Sequence, residues 1–149
     1  WACATLGMHP PPSLLGKVWE RSLARAHEFR QQEIINLVWA CATLGRKPPK
    51  ALFQRLCECA SSQVDSFTPQ GVANFAWACA TISLEPPTPL FCSLCLRMHA
   101  TVDDFTPQNI GNFAWACATL GTPPSDASLT RLCEAAEAQV GSFKPQEVA

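Results

Sequence analysis

Hydrophobic and polar residues follow a helical period along this chain. In residues 49–64, apolar side chains recur at the spacing of one helix face, and polar side chains occupy the opposite face. The apolar stripe consists of Leu52, Phe53, Leu56, Cys57, Ala60 and Val64. We therefore predict an amphipathic helix from about Pro49 to Val64, with one face in water.

A second helix follows, and the sequence marks both of its ends. Thr68 and Thr106 each precede a proline, so a capping hydroxyl stands directly before a residue that suits the first helical turn. Gly45 and Gly121 stand where this helix should end, because glycine accepts the left-handed backbone that closes many helices. The segment between these marks is apolar around most of its circumference. We therefore expect it to be packed on most sides.

This two-helix pattern recurs every 38 residues without insertion or deletion. Its clearest marker is the pentapeptide Trp-Ala-Cys-Ala-Thr, which begins at Trp1, Trp39, Trp77 and Trp115. A fixed period of this size is typical of repeat proteins. The sequence therefore predicts an all-α fold, namely a single α-solenoid of 38-residue helix–turn–helix repeats over residues 1–149.

Complete repeats are expected at residues 10–47, 48–85 and 86–123. Residues 1–9 would form the end of a truncated repeat, and residues 124–149 would form a partial repeat. Both ends of the chain fall inside predicted helices. We therefore expect this stretch to belong to a longer array, with any targeting segment outside it.

Composition narrows the classes of partner. The net charge of −1 argues against a binder of nucleic acid that relies on electrostatics alone. No apolar run approaches the roughly 18 residues that span a bilayer, so no membrane segment is predicted. Most of the nine cysteines recur in two repeat phases within apolar stripes, which is typical of small buried side chains in a reducing compartment. These are Cys3, Cys41, Cys79 and Cys117 in one phase, and Cys57, Cys95 and Cys133 in the other.

Catalytic and metal-binding patterns are weak. Cys92 and Cys95 have a spacing seen in zinc sites, but a structural zinc needs four converging ligands. Cys95 belongs to the predicted apolar stripe and Cys92 to the exposed face, so we expect no metal there. No nucleophile, base and acid recur as a set, and no phosphate-binding glycine loop is present. The sequence predicts no enzyme and no cofactor.

The repeat unit also carries a family pattern. It reads Pro-Pro-x-x-Leu-Phe, and later Phe-Thr-Pro-Gln-x-x-Ala-Asn-x-x-Trp-Ala-x-Ala-Thr-Leu. In this form it resembles the octotricopeptide repeat, and the related repeats that precede RAP domains in organellar proteins, over essentially the whole chain. Two departures are the Cys inside the Trp motif, where bulkier apolar residues are common, and Gln31, which replaces a proline.

The resemblance implies an α-solenoid that binds RNA in mitochondria or chloroplasts. Proteins of this kind act in transcript stability, RNA processing, translation or ribosome assembly. No RAP-like or kinase-like module lies within these residues, so the resemblance implies no catalytic role.

Constant polar positions on the second helices form the first candidate site. Gln, Asn and Thr recur at i, i+4 and i+11, which places them on one side of each helix. These residues are Gln32, Asn36, Thr43, Gln70, Asn74, Thr81, Gln108, Asn112 and Thr119. A modular reader of RNA could use such constant groups on the sugar–phosphate chain. The alternative, which we favour for the Asn residues, is that they tie neighbouring repeats together through buried hydrogen bonds.

One position beside this polar side changes between repeats. It holds Glu33, Gly71, Asn109 and Glu147, while Gln146 continues the constant Gln phase. One variable group per repeat could read a base, but drift at a surface position explains the variation equally well. Within the pentapeptide we expect Trp, Ala and Cys to form the packing interface between helices, and only Thr to share the polar side.

Basic residues on the first helices form the second candidate site. A row of cations at one repeat phase could contact phosphates. An acidic residue follows each cation three positions later, so exposed pairs within each helix are the interpretation we favour. The cations are Lys17, Arg55 and Arg131, and their acidic partners are Glu20, Glu58 and Glu134.

Taken with the resemblance, the sequence predicts a repeat array that binds single-stranded RNA in an organelle. The alternative is a scaffold for protein–protein interactions, because solenoid surfaces serve that purpose too.

Overall fold

A computed structural model describes residues 1–145, so Gln146 and Glu147 lie outside the described residues. The described part of the chain is all-helical and contains no strand, which confirms the all-α prediction. Its eight α-helices are α1 (Ala2–Thr5), α2 (Pro12–Arg25), α3 (Gln31–Thr43), α4 (Lys50–Ser61), α5 (Pro69–Thr81), α6 (Thr88–Thr101), α7 (Pro107–Leu120) and α8 (Asp126–Ala138). None of these helices is both long and apolar enough to cross a membrane.

The helices pack in two rows. The odd-numbered helices α1, α3, α5 and α7 lie side by side in chain order, and so do the even-numbered helices. Contacts also join α3 to α4, α5 to α6 and α7 to α8. The core lies between the rows, where Phe67, Phe75, Leu56, Leu94 and Phe113 are fully buried.

Helix α4 shows how the sequence produces the even row. All six residues of the predicted apolar stripe are buried, as expected of an amphipathic helix. The predicted end was wrong, however, because the helix stops at Ser61 rather than Val64. Near this end the Ser62 hydroxyl donates to the Cys59 carbonyl at 2.9 Å, and such local bonds compete with helix continuation. A short 3₁₀ turn, Val64–Ser66, then leads into the buried Phe67.

The predicted starts of α5 and α7 are confirmed. The Thr68 hydroxyl accepts a hydrogen bond from the Gly71 amide at 3.1 Å, and the Thr106 hydroxyl accepts one from the Asn109 amide at 3.2 Å. Each bond satisfies an amide that has no partner inside its own helix.

The ends of the odd helices share one closing geometry. Gly45 and Gly121 adopt left-handed backbone with φ of 62° and 63°, as predicted. Ser83 holds the same position after α5, with φ of 50°. The following amide then donates back to the carbonyl of the pentapeptide cysteine, for example from Leu84 to Cys79 at 3.0 Å.

Most of the periodic cysteines are buried, as predicted. Burial raises the pKa of the Cys57 thiol to about 12 and that of Cys79 well above its usual value. Cys92 is exposed and Cys95 buried, as expected from their places on α6. The prediction was wrong for Cys133, which is exposed on α8 although it shares the phase of Cys57. It was also too strong for Cys3, which is only half-buried in the short α1.

Neighbouring units are tied through the backbone carbonyl of the phenylalanine before each odd helix. The Gln63 amide donates to the Phe29 carbonyl, and the Gln139 amide to the Phe105 carbonyl, both at 2.9 Å. In the middle of the chain the donor is the Arg97 guanidinium, 2.9 Å from the Phe67 carbonyl. Each donor belongs to the unit that follows its acceptor, so these bonds fix one unit against the next. No local pattern in the sequence indicates these bonds, because donor and acceptor lie in different units.

Replacing Gln63 with Ala should destabilise the fold, because the partly buried Phe29 carbonyl loses its donor. We expect a loss of roughly 1–3 kcal/mol in the free energy of unfolding, measured by urea denaturation. Gln54→Ala is the matched control, since Gln54 is an exposed amide on α4, the helix that precedes Gln63. Its effect should stay within about 0.5 kcal/mol. Equal effects of the two substitutions would contradict the role assigned to Gln63.

Cysteine reactivity should follow burial. In the folded chain at pH 8, iodoacetamide should modify Cys92 and Cys133 rapidly, because both are exposed. It should leave Cys57 and Cys79 unmodified, because their raised pKa keeps them as thiols and only the thiolate reacts. Peptide mapping by mass spectrometry, with a urea-unfolded sample for comparison, measures the difference. Modification of Cys79 in the folded chain at the rate of Cys92 would show that this packing is wrong.

Candidate functional site

A groove of about 580 Å³ crosses the odd row of helices and receives side chains from all four of them. We call it the polar groove. Its lining is made mainly of amide and hydroxyl side chains with two indoles, and among the described residues it includes no charged side chain. The lining residues are Trp1, Thr5, Gln31, Gln32, Ile35, Asn36, Trp39, Thr68, Gln70, Gly71, Asn74, Gln108 and Asn109.

Helical spacing explains why the amides meet there. Gln70 and Asn74 are four residues apart on α5, so they lie one above the other on the same face. Gln32 and Asn36 repeat this arrangement on α3. The structure therefore brings most of the predicted constant amides into one groove. The exception is Asn112, which is half-buried on α7 and does not line it.

The three constant Asn residues do not tie the units together. Asn36, Asn74 and Asn112 are half-buried, and none of their side chains forms a hydrogen bond with another described residue. None of their polar atoms is enclosed without a partner, so water reaches them. The interpretation that we favoured for these residues is therefore wrong, and the ties are made instead at the phenylalanine carbonyls. This leaves the Asn amides free for a ligand.

The constant Thr residues are less well placed than predicted. Thr43, Thr81 and Thr119 are exposed and do not line the polar groove, although Thr5 of the same phase does. The Thr81 hydroxyl donates to the Trp77 carbonyl in its own helix at 2.8 Å. Back-bonding of this kind is common for Thr within helices and needs no ligand.

The variable position is the third residue of α3, α5 and α7, where its side chain takes part in helix capping or is absent. The Glu33 carboxylate accepts a hydrogen bond from the Arg30 amide at 2.9 Å. The Asn109 side chain accepts one from the Thr106 amide at 3.2 Å. Gly71 has no side chain, and there the Thr68 hydroxyl caps the helix alone. Because these polar atoms are engaged in capping, the structure gives no support to Glu33, Gly71 or Asn109 as base readers.

Gly71 lies against the end of the Ile35 side chain on α3. A β-carbon at Gly71 would lie 2.8 Å from the Cδ1 atom of Ile35 and 3.2 Å from the Thr68 hydroxyl oxygen. One repeat later, the residue in the phase of Ile35 is Ala73, which is smaller, and the residue in the phase of Gly71 is Asn109. Residue size at the two positions therefore changes in opposite directions.

Two of the four tryptophans correct the prediction for the pentapeptide. Its Ala and Cys residues form the packing interface around α5 as expected. Trp77 also packs against the core, as predicted, and neither Trp77 nor Trp115 lines the groove. Trp1 and Trp39 do line it, and Trp1 is 63% exposed while Trp39 is half-buried. The spacing of the sequence could have indicated that Trp39 lies beside the amides. Trp39 follows Asn36 by three residues, and residues three apart share a helix face. Trp is treated as apolar when helix faces are assigned from hydrophobicity, so Trp39 was expected in the core rather than beside the amides.

The basic row lies elsewhere. Lys17, Arg55 and Arg131 belong to α2, α4 and α8, which do not line the polar groove. Arg55 pairs with Glu58 at 2.7 Å, and Arg131 pairs with Glu134 at 3.6 Å and with Asp103 at 2.8 Å. The pairing interpretation is thus confirmed at Arg55 and Arg131. It was wrong at Lys17, which forms no ion pair with Glu20.

A second groove, of about 510 Å³, lies between the start of α6 and the loop from α7 to α8. Its wall is mostly apolar and includes Phe91, Leu96 and Leu120. Ser128 also lines it, with its hydroxyl oxygen 3.3 Å from Nδ1 of His99. No acidic side chain is bonded to that imidazole in the described residues, so the pair lacks the third member of a hydrolytic triad. Residues 1–145 contain no group of three or more His, Cys, Asp or Glu side chains that could hold a metal ion.

Introducing Asn at Gly71 should expose its dependence on Ile35. Gly71→Asn alone should destabilise the chain, because its β-carbon meets the Ile35 side chain. In an Ile35→Ala background the same change should be tolerated, since an Asn there can cap the helix as Asn109 does. A double-mutant cycle by urea denaturation should show a coupling of about 1–3 kcal/mol. Additive effects would mean that the two positions are independent.

A comparison of the chain with protein-family models found no match, and neither did a comparison with curated proteins.

Proposed function

We propose that this chain is an α-solenoid of 38-residue repeats, of the octotricopeptide type, that binds single-stranded RNA. The solenoid assignment is supported by the recurrence of equivalent contacts at equivalent positions. Helix caps recur at Thr68 and Thr106, and the left-handed closing residue recurs at Gly45 and Gly121. The carbonyl ties join three successive pairs of units. Units that differ in sequence but keep these contacts can stack in the same way.

The polar groove is the observation that carries the RNA proposal. Asn36 and Asn74 present amides that make no hydrogen bond with another described residue, on neighbouring helices and one repeat apart. Each such amide offers a donor and an acceptor, which is what the edge of an unpaired base requires. Sequence-specific recognition of RNA by helical repeats uses side chains of this kind, with one base per repeat.

The biological setting follows from the resemblance. We place the protein in a mitochondrion or a chloroplast, with an organellar transcript or ribosomal RNA as its partner. Its role there would be RNA processing, transcript stability, translation or ribosome assembly. We assign no catalytic activity to these residues, so the array would act by binding alone.

A protein–protein scaffold is the second candidate, and the apolar groove at α6 favours it. Leu96 is 68% exposed at this groove, and exposed apolar side chains around a concave surface are common where proteins dock. This groove lies away from the amides, so the two functions would use different surfaces of the same chain.

Asn74→Ala separates these possibilities. The free energy of unfolding should change by less than about 0.5 kcal/mol, because the Asn74 side chain makes no hydrogen bond with another described residue. Affinity for a pool of short unstructured RNAs should fall roughly 2- to 12-fold, the range for one lost hydrogen bond. Gln54→Ala, an exposed amide change outside the groove, should leave both quantities unchanged.

Binding is best measured by filter retention at moderate salt, and stability by urea denaturation. Failure of the unaltered chain to retain any RNA from the pool would overturn the RNA proposal. A protein partner that stays bound after ribonuclease treatment, and is lost on Leu96→Asp, would favour the scaffold instead.

A further inference from the structure

We propose that Trp1 and Trp39 are base-stacking platforms, so that RNA enters the polar groove with its bases inward and its phosphates toward water. This inference rests on the proposed RNA binding and adds the residues that would contact the ligand. It assigns a binding role to Trp39 and Trp1, which line the groove, and none to Trp77 and Trp115, which do not.

The first observation is the position of the indoles. Trp1 and Trp39 form part of the groove wall, beside the amides of Asn36 and Gln32. Trp77 and Trp115 occupy the same phase on α5 and α7, and Trp115 is 47% exposed. Neither of them lines the groove, however, and Trp77 packs against the core, so this observation rests on Trp1 and Trp39.

An indole beside an amide suits an unpaired base. The flat face of Trp stacks on any base, whatever its identity. A neighbouring Asn or Gln can then bond to the edge of that base, which supplies selectivity. The half-buried Trp39 already has part of its surface against protein, so its orientation is restrained before any ligand arrives.

The second observation is the absence of charge. No Lys or Arg lines the polar groove among the described residues. On the even row, Arg55 and Arg131 are engaged in ion pairs. Phosphates therefore find few cations at the groove, and base contacts must supply most of the affinity. This reverses the usual dominance of phosphate contacts in nucleic-acid binding.

The third observation is an unpartnered acceptor. The side-chain oxygen of Gln31 is enclosed in the protein and has no hydrogen-bond partner among the described residues, and Gln31 lines the groove beside Trp1 and Trp39. Enclosed polar atoms are nearly always paired, so a missing partner indicates a place for a donor. The oxygen is not exposed, so the Gln31 side chain would have to turn into the groove before it could accept from the exocyclic amino group of a base. The equivalent positions in the following repeats are Pro69 and Pro107, so this acceptor is particular to α3.

The test compares Trp39→Leu with Trp39→Phe in the full chain. Leucine keeps an apolar side chain but removes the aromatic face, whereas phenylalanine keeps a smaller aromatic face. We expect Trp39→Leu to weaken binding of the unstructured RNA pool roughly 5- to 150-fold, and Trp39→Phe to retain most of the affinity. Trp19→Phe is the control, because Trp19 lies on α2 and does not line the groove. Thermal melting of each variant identifies any loss of folding.

Two measurements on the unaltered chain do not depend on how the variants fold. RNA should quench indole fluorescence, and photo-crosslinks from thiouridine-containing RNA should map to the peptide that contains Trp39. Affinity should fall less than about tenfold between about 50 and 200 mM salt, because few counterions are released when phosphates stay in water.

The outcomes separate this inference from the proposal on which it rests. RNA binding that is steeply salt-dependent, unaffected by Trp39→Leu and crosslinked away from Trp39 would overturn the stacking role and leave RNA binding intact. Absence of any RNA binding by the unaltered chain would overturn both. Binding of extended peptides that displaces the RNA from Trp39 would also overturn the inference, because the groove would then recognise a peptide backbone.

Discussion

Close packing of α5 between α3 and α7 is the constraint on which the rest of the structure depends. Ala73, Ala76 and Ala78 are fully buried on α5, and side chains this small allow neighbouring helices to approach closely. With α6 against it as well, α5 has only a narrow strip left for polar groups. Gln70 and Asn74 occupy that strip. The polar groove is thus a consequence of how tightly the odd helices pack, and its amides stand where packing leaves room.

What could be predicted from the sequence was mostly local. The buried stripe of α4, the Thr68 cap and the Gly121 closure depend on residues within one or two helical turns, so a pattern suffices to find them. The contacts between units could not be found in this way. Gln63 and Asn74 both carry half-buried side-chain amides, yet one ties two units and the other makes no hydrogen bond with a described residue. Only the position of the neighbouring unit distinguishes them.

The candidate site shows the same division. The sequence placed the constant Gln and Asn on one side of each helix, and most of them do share one groove. Trp39 was expected to pack between helices because Trp is apolar, although its spacing from Asn36 places both residues on one helix face. Asn109 was a candidate for contacting an RNA base because its position varies between repeats. Its side chain instead closes a capping box with Thr106. Size matching, as between Ile35 and Gly71, is a second source of variation that has no connection with a ligand.

The ties between units have a consequence for how such a chain can change. In each tie the acceptor is the main-chain carbonyl of Phe29, Phe67 or Phe105, which is present whatever the side chains do. The donor is free to vary, because Arg97 donates from within α6 whereas Gln63 and Gln139 donate from just after α4 and α8. A duplicated unit would therefore find a ready acceptor on any unit that precedes it. This one contact would therefore be kept on tandem duplication or reshuffling, because it requires no matched pair of side chains, unlike the contact between Ile35 and Gly71.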